Sequence, residues 1–313
     1  MDLKQSPPIE RGLLSGPLIE RDEPFAWHKL NRAPFTFRHR LADLPLFETS
    51  RLARLATLAA ERERGSSVGS SASADRILQL SETSDWVKIS YANVLDPDFA
   101  LLHRTLLAEF EELTGIPIRE SMNWSGMTVF MNSPHLAVPY HFDHETNFLM
   151  QIKGKKEVYL FDQTDRAVLT EREIEDFYRG NPMAGKSKED RGHLGSRFIL
   201  NPGDAVHHPP LAPHRILNLD DISVSLSIFF TFPEADLRAH VYQVNSFLRQ
   251  ARMRPQPPGA SAESDRKKVR LMRLISKRRP KTQNEMLFSG VRRLTLPVRA
   301  FRKATKLVLR RKS

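Results

Sequence analysis

Between residues 127 and 232 the chain carries short runs of β-forming residues, MTVFM, TNFLMQI, KEVYLFD, RFILNPGD and ISVSLSIFF, set apart by turns. Strands that follow one another without crossover helices pair antiparallel and close into a sandwich or barrel, not a βα repeat. One insertion, TEREIEDFYRGNP, interrupts the series as a helical or irregular segment. The expectation is therefore a mainly β core.

The rest of the 313 residues organises around that core. Residues 1–24, rich in Pro and charge, read as an extended lead-in. Residues 25–119 read as a helical or mixed part packing on the barrel. Within it Leu52, Leu55 and Leu58 recur at helical spacing, GSSVGSSASA (65–74) is a low-complexity loop, and a helix over 98–112 ends at Gly115 and Pro117. The barrel is expected over 120–232, a helical segment over 233–250, a Pro- and Gly-containing linker over 251–265, and a basic amphipathic tail over 266–313.

Charge separates the tail from the body. Over 266–313, 18 Lys and Arg stand against the single Glu285, a net of +17, so the first 265 residues carry the remainder of the chain's +11, which is −6. Leu294, Val298, Phe301, Leu307 and Val308 interleave with the bases. Such a segment suits an anionic membrane surface, nucleic acid or an acidic protein, or packs on the body by its apolar stripe. The helical segments at 52–58 and 237–247 either form a homodimer surface or cover the barrel.

The chain has no cysteine, which excludes disulfides, thiolate nucleophiles and Cys-ligated zinc or iron–sulfur centres. Any metal must sit on His, Asp or Glu. No run is long enough to span a membrane, and MDLKQSPPIERG lacks the apolar stretch of a signal peptide, so a cytoplasmic location is expected.

The stretch VPYHFDHETNFLMQIKGKKEVYLF concentrates ionisable groups in β-like sequence. In an extended segment His141 and Asp143 point one way and Phe142 and His144 the other, so two ligands can grip one ion. His214, in NPGDAVHHPPLAPHRI, is the best third ligand. Two histidines and one carboxylate on a face leave other positions open, as in non-haem Fe(II) oxygenases, whereas a structural zinc prefers a closed shell. The bland alternative is a chance HxD pair in a chain that also carries His144, His207 and His208. Lys156 shares a face with Val158 and Leu160; it either needs a counter-anion in the interior or points to water from the KGKK hairpin. Asn147, Leu149 and Gln151 share one face of their run, as do Ser223, Ser225 and Ser227 of theirs. That serine face lines either a cavity or the solvent side.

HFDHETNFLMQIKGKKEVYLFD, followed by PGDAVHHPPLAPH and ISVSLSIFF, resembles the JmjC-type, cupin-fold 2-oxoglutarate- and Fe(II)-dependent oxygenases over about residues 120–232. Within them it is similar to the branch containing the asparaginyl hydroxylase of hypoxia-inducible factor. The resemblance implies a double-stranded β-helix (jelly roll) with flanking helices, iron on His141, Asp143 and His214, and Lys156 bonding the distal carboxylate of 2-oxoglutarate. It also implies Asn147 and Ser227 beside the co-substrate, and hydroxylation, or demethylation through hydroxylation, of a protein, peptide or small molecule. Val138 stands where relatives offer a hydroxyl, which Thr128 or Ser121 can supply; Ala212 and Pro213 replace an aromatic pair. A cupin metalloenzyme that ignores 2-oxoglutarate, or a non-enzymatic binding module, remains the alternative.

Overall fold

The computed structural model describes residues 16–21, 24–63, 74–280 and 282–294, and each strand-like run of the sequence falls on a strand in it. The chain divides into two compact units, Met1–Thr164 with Ser187–Phe232 and Asp165–Lys186 with Pro233–Ser313.

The first unit contains all the strands of the described residues: β1 (Thr36–Arg38), β2 (Trp86–Ile89), β3 (Trp124–Asn132), β4 (Ala137–His141), β5 (Thr146–Lys153), β6 (Lys156–Leu160), β7 (Ser196–Leu200), β8 (Asp204–His208), β9 (His214–Asn218) and β10 (Ser223–Thr231). They form a six-stranded sheet, β1-β8-β5-β10-β3-β2, and a four-stranded sheet, β4-β9-β6-β7. All pairings are antiparallel. The strand order is that of a double-stranded cupin-like β core. Helices flank this core, as expected, and with them the fold mixes α and β.

Two strands of the larger sheet come from the segment read as helical or mixed. TFR and WVKI are too short to show a period, and they become strands by pairing with β8 and β3. The β5–β6 turn needs Gly154, whose φ is +69° and whose position would bring a Cβ within 2.5 Å of the Ile222 carbonyl oxygen.

Period two gives each sheet two faces with different chemistry. One face of the larger sheet carries Phe148, Met150, Leu226, Ile228 and Val129 into the main core with the N-terminal part. There Phe110 stacks on Phe148 at 4.2 Å between ring centroids, and Trp27 lies at 5.9 Å from Phe148. The opposite face turns toward the smaller sheet, where Leu149 and Val206 meet Val158, Leu160 and Leu200. Ser223, Ser225 and Ser227 lie on this inner side and are all buried, so the serine face lines the interior. Gln151 knits the far end of it, accepting from Ser225 Oγ at 2.8 Å and donating to Ser223 Oγ at 3.0 Å.

The helices of the first unit are α1 (Thr49–Glu63), α2 (Ala74–Gln79), α3 (Ala92–Leu95), α4 (Pro97–Thr114) and α5 (Ile118–Ser121). In α1 the buried positions are Leu52, Leu55, Ala56 and Ala59, the 3.6-residue stripe, and Leu58 is only half-buried. Helix α4 starts on an Asp96 cap that accepts from the Asp98 and Phe99 amides and ends on Gly115 at φ 70°.

The second unit contains α6 (Glu171–Tyr178), α7 (Pro233–Gln250) and α8 (Ala262–Ile275), with a further helical stretch over 283–294. Thr170 and Glu173 close a capping box at the start of α6. Tyr178 stacks on Tyr242, and Arg249 forks onto the buried Glu175 at 2.7 and 2.8 Å. The insertion therefore packs with C-terminal helices. Ser261 caps α8, so helix begins inside the stretch 251–265 read as a linker. Val244, Met272 and Val291 form a small core, which means that the first part of the basic segment packs by its apolar stripe on α7. The lead-in over 1–15, most of the low-complexity loop and residues 295–313 lie outside the described residues, so the expectation of an anionic partner rests on charge alone. No helix among the described residues is long and apolar enough to cross a membrane.

Candidate metal centre

His141 and His214 are brought together by strand register. They are direct partners across the β4–β9 ladder, with ring centroids 4.1 Å apart. The strand ends at His141, so HFD is not one continuous strand: Asp143 lies in the connection to β5. It is held there from the other side of the site, because Leu211, in the β8–β9 connection at φ 65°, donates its amide to the Asp143 carbonyl at 2.7 Å. A left-handed leucine is strained, and such strain persists only where the surroundings enforce it.

Asp143 Oδ2 then stands 3.7 Å from His214 Nε2 and 4.0 Å from His141 Nε2. One ligand atom from each of the three lies within 4.8 Å of the others, a group able to hold a metal ion. The imidazoles are oriented for it. His141 Nδ1 bonds the Pro139 carbonyl at 2.8 Å, and His214 Nδ1 bonds the Ala212 carbonyl at 3.0 Å. A carbonyl only accepts, so Nδ1 carries the proton and Nε2 presents its lone pair. Burial, with help from His141 and against the pull of Asp143, pushes His214 down to about 4. The side chain of His214 is 4% exposed and that of Asp143 42%, so the centre is anchored inside and open on the Asp143 side.

Lys156 begins β6 with its side chain inward; it is 2% exposed. Leu160, four residues along the same strand, is the direct partner of His214, so Lys156 lies about 13 Å along the strand from the level of the histidine. Burial alone lowers its pKa to about 7. Asn147, Ser227 and Thr128 line the inner face of the other sheet. Ser227 is the cross-strand partner of Thr128 and donates from Oγ to Asn147 Oδ1 at 2.8 Å. Ser121 ends α5, outside the sheets, while Thr128 is on the inner face.

Nothing in the sequence sets His208 apart from His144 and His207, yet it sits on the inner face opposite Asn147, with its ring centroid 4.7 Å from that of His214. Its neighbour His207 faces the main core, where it accepts from the Asn31 amide at 3.0 Å and bonds the Asn147 carbonyl at 3.1 Å.

Residues 74–236, more than half of the chain, match the family described as Cupin-like domain, and the chain belongs to that family. Among solved structures it is similar to E. coli ycfD, at 15% identity with 86% of this chain and 70% of that chain covered and a TM-score of 0.46. It is also similar to YcfD, a ribosomal oxygenase from Escherichia coli, in complex with cobalt and 2-oxoglutarate, at 17% identity, 78% and 63% coverage and a TM-score of 0.43. A third likeness is the DMSP lyase DddQ from Ruegeria pomeroyi DSS-3, at 18% identity, 35% and 40% coverage and a TM-score of 0.23. Across the ycfD chains the span is between 48% and 70% of their length. No curated protein matches the sequence. None of the comparisons singles out the asparaginyl hydroxylase branch.

Proposed function

We propose that this cupin-like chain is a 2-oxoglutarate- and Fe(II)-dependent oxygenase that hydroxylates, or demethylates through hydroxylation, a protein, peptide or small-molecule substrate. The observation that carries the reading is Lys156: a buried amine inside the β core, its pKa lowered by burial, with no carboxylate among the described residues offsetting that shift. Burying such a group is unfavourable by several kcal/mol unless an anion arrives to pair with it.

The donor set fits the metal. Two imidazole nitrogens and one carboxylate oxygen on one side suit a divalent first-row ion with positions left open. Bound iron, with 2-oxoglutarate and O2, supplies the oxidising power for inserting oxygen into a substrate C–H bond while the co-substrate becomes succinate and CO2.

The chain's own residues do the rest. His141 and His214 offer oriented Nε2 lone pairs, and Asp143 balances charge on the open side. Lys156, buried on the inner face of β6, would pair with the far carboxylate of the diacid. Ser227, Asn147 and Thr128 give that diacid a polar wall, and Leu149, Val158 and Leu160 keep water from it.

The test is succinate release from 2-oxoglutarate by the Fe(II)-loaded protein, against pooled peptides and metabolites, with Lys156→Ala beside it. Turnover in the wild type and its loss in the variant, with metal binding retained, are expected. Metal uptake without any succinate would move the protein to cupin metalloenzymes of another reaction class. Failure to bind Fe(II) or Mn(II) near one equivalent would leave a binding module.

A further inference from the structure

His208 is 3% exposed, and neither of its ring nitrogens has a hydrogen-bond partner among the described residues. An imidazole in this position forfeits two hydrogen bonds that water would supply, and each unsatisfied group is costly. The adjacent His207 shows what a merely structural buried histidine looks like here, with both nitrogens engaged.

Its position identifies the kind of partner it can take. His208 projects from β8 on the inner side, opposite Asn147 and beside His214. It thus stands on the sheet facing the path from the histidine pair to the lysine. It is outside the cluster whose ligand atoms lie within 4.8 Å of one another, which favours contact with a ligand over contact with the metal. An imidazole has an N–H to donate, and both ring nitrogens of His208 are turned into this interior space.

Resting on the oxygenase reading, we infer that His208 is a further co-substrate-binding residue, donating a hydrogen bond to a carboxylate of the 2-oxo acid held between the metal and Lys156. A directional N–H donor there complements the charge supplied by Lys156, and it would select a planar carboxylate over a neutral ligand of the same size.

The experiment measures two affinities by calorimetry on the full chain: Mn(II) for the metal-free protein, and 2-oxoglutarate for the Mn(II)-loaded protein. Wild type, His208→Leu and His208→Gln are compared. The expected result is unchanged Mn(II) affinity in all three. For 2-oxoglutarate, a loss of about tenfold or more is expected in the leucine variant, the effect of one hydrogen bond to a charged acceptor. Recovery of most of it is expected in the glutamine variant, which keeps a donor. Wild-type affinity for 2-oxoglutarate in His208→Leu overturns the inference and leaves the oxygenase reading standing. A parallel drop in Mn(II) affinity overturns it too, making His208 a metal ligand. Should the leucine variant not fold, a folded His208→Gln binding 2-oxoglutarate no better than His208→Ala decides against it. Loaded wild type that takes up no 2-oxoglutarate sinks both readings together.

Discussion

His141 and His214 are direct partners across the β4–β9 ladder, and each ties its Nδ1 to the carbonyl two residues before it, Pro139 for one and Ala212 for the other. The same local device, repeated on antiparallel strands, aims both Nε2 atoms into one space. Asp143 joins them through its own backbone, anchored by Leu211.

Replacing any of the three should therefore abolish tight metal binding while the fold persists. His214→Ala or Asp143→Ala should weaken Mn(II) by more than about 100-fold, since even the outer partners of metal ligands typically contribute 10–100-fold. Calorimetric titration checks this, with circular dichroism as the fold control. Undiminished affinity in either variant would remove the centre.

Lys156 gives a pH dependence with a definite sign. Its folded pKa is lowered to about 7 from an ordinary 10.5, so between these values the folded chain holds fewer protons at this site than the unfolded chain. Stability of the ligand-free protein should rise with pH through that window, by at most ~1.4 kcal/mol per unit from this group. Lys156→Met should be more stable than wild type at neutral pH, and the gap should narrow as pH rises. Urea melts of both proteins across the window measure it; a gap independent of pH would contradict the lowered pKa.

The buried histidines work in the acid range. Burial lowers His39 and His103 to about 4 and His207 to about 3, against an unfolded value of 6.5. Below 6.5 the unfolded chain takes up protons that the folded one refuses, so stability is full above that pH and falls as the medium approaches 4. His207→Phe should make the loss shallower. At neutral pH it should also cost about 1–3 kcal/mol, because the Asn31 amide loses its acceptor and the Asn147 carbonyl its bond to the ring. Thermal melts across the acid range test both statements.

In the second unit Glu175 is the buried partner and Arg249 the more exposed one, with side chains 4% and 31% accessible. Arg249→Ala should destabilise by about 3 kcal/mol or more, because it strands a buried carboxylate. Glu175→Gln should cost less, since the remaining guanidinium reaches water. Hydrogen exchange of α6 and α7 in the two variants reports the difference; equal protection would mean that the pair carries little energy.

Alternation is local, so KEVYLF was enough to group Lys156 with Val158 and Leu160, and ISVSLSIFF enough to put its serines together. Neither pattern says which side another layer covers. The serines were equally compatible with solvent, and their burial follows from the second sheet closing over them. TFR and WVKI carry no readable period and are strands only because β8 and β3 offer them partners. His207 and His208 are alike in sequence.

What the residues determined alone was the chemistry on offer: nitrogen and oxygen ligands without thiols, spaced to share a face, and a lysine on an apolar strand face. Tertiary structure decided which of these groups meet. Register put His141 opposite His214, a strained turn carried Asp143 to them, and the two faces of one sheet made His207 a packed core residue and His208 a free one. Side-chain period is set by bonds between neighbours in the chain, whereas convergence depends on strand pairings between residues some seventy positions apart.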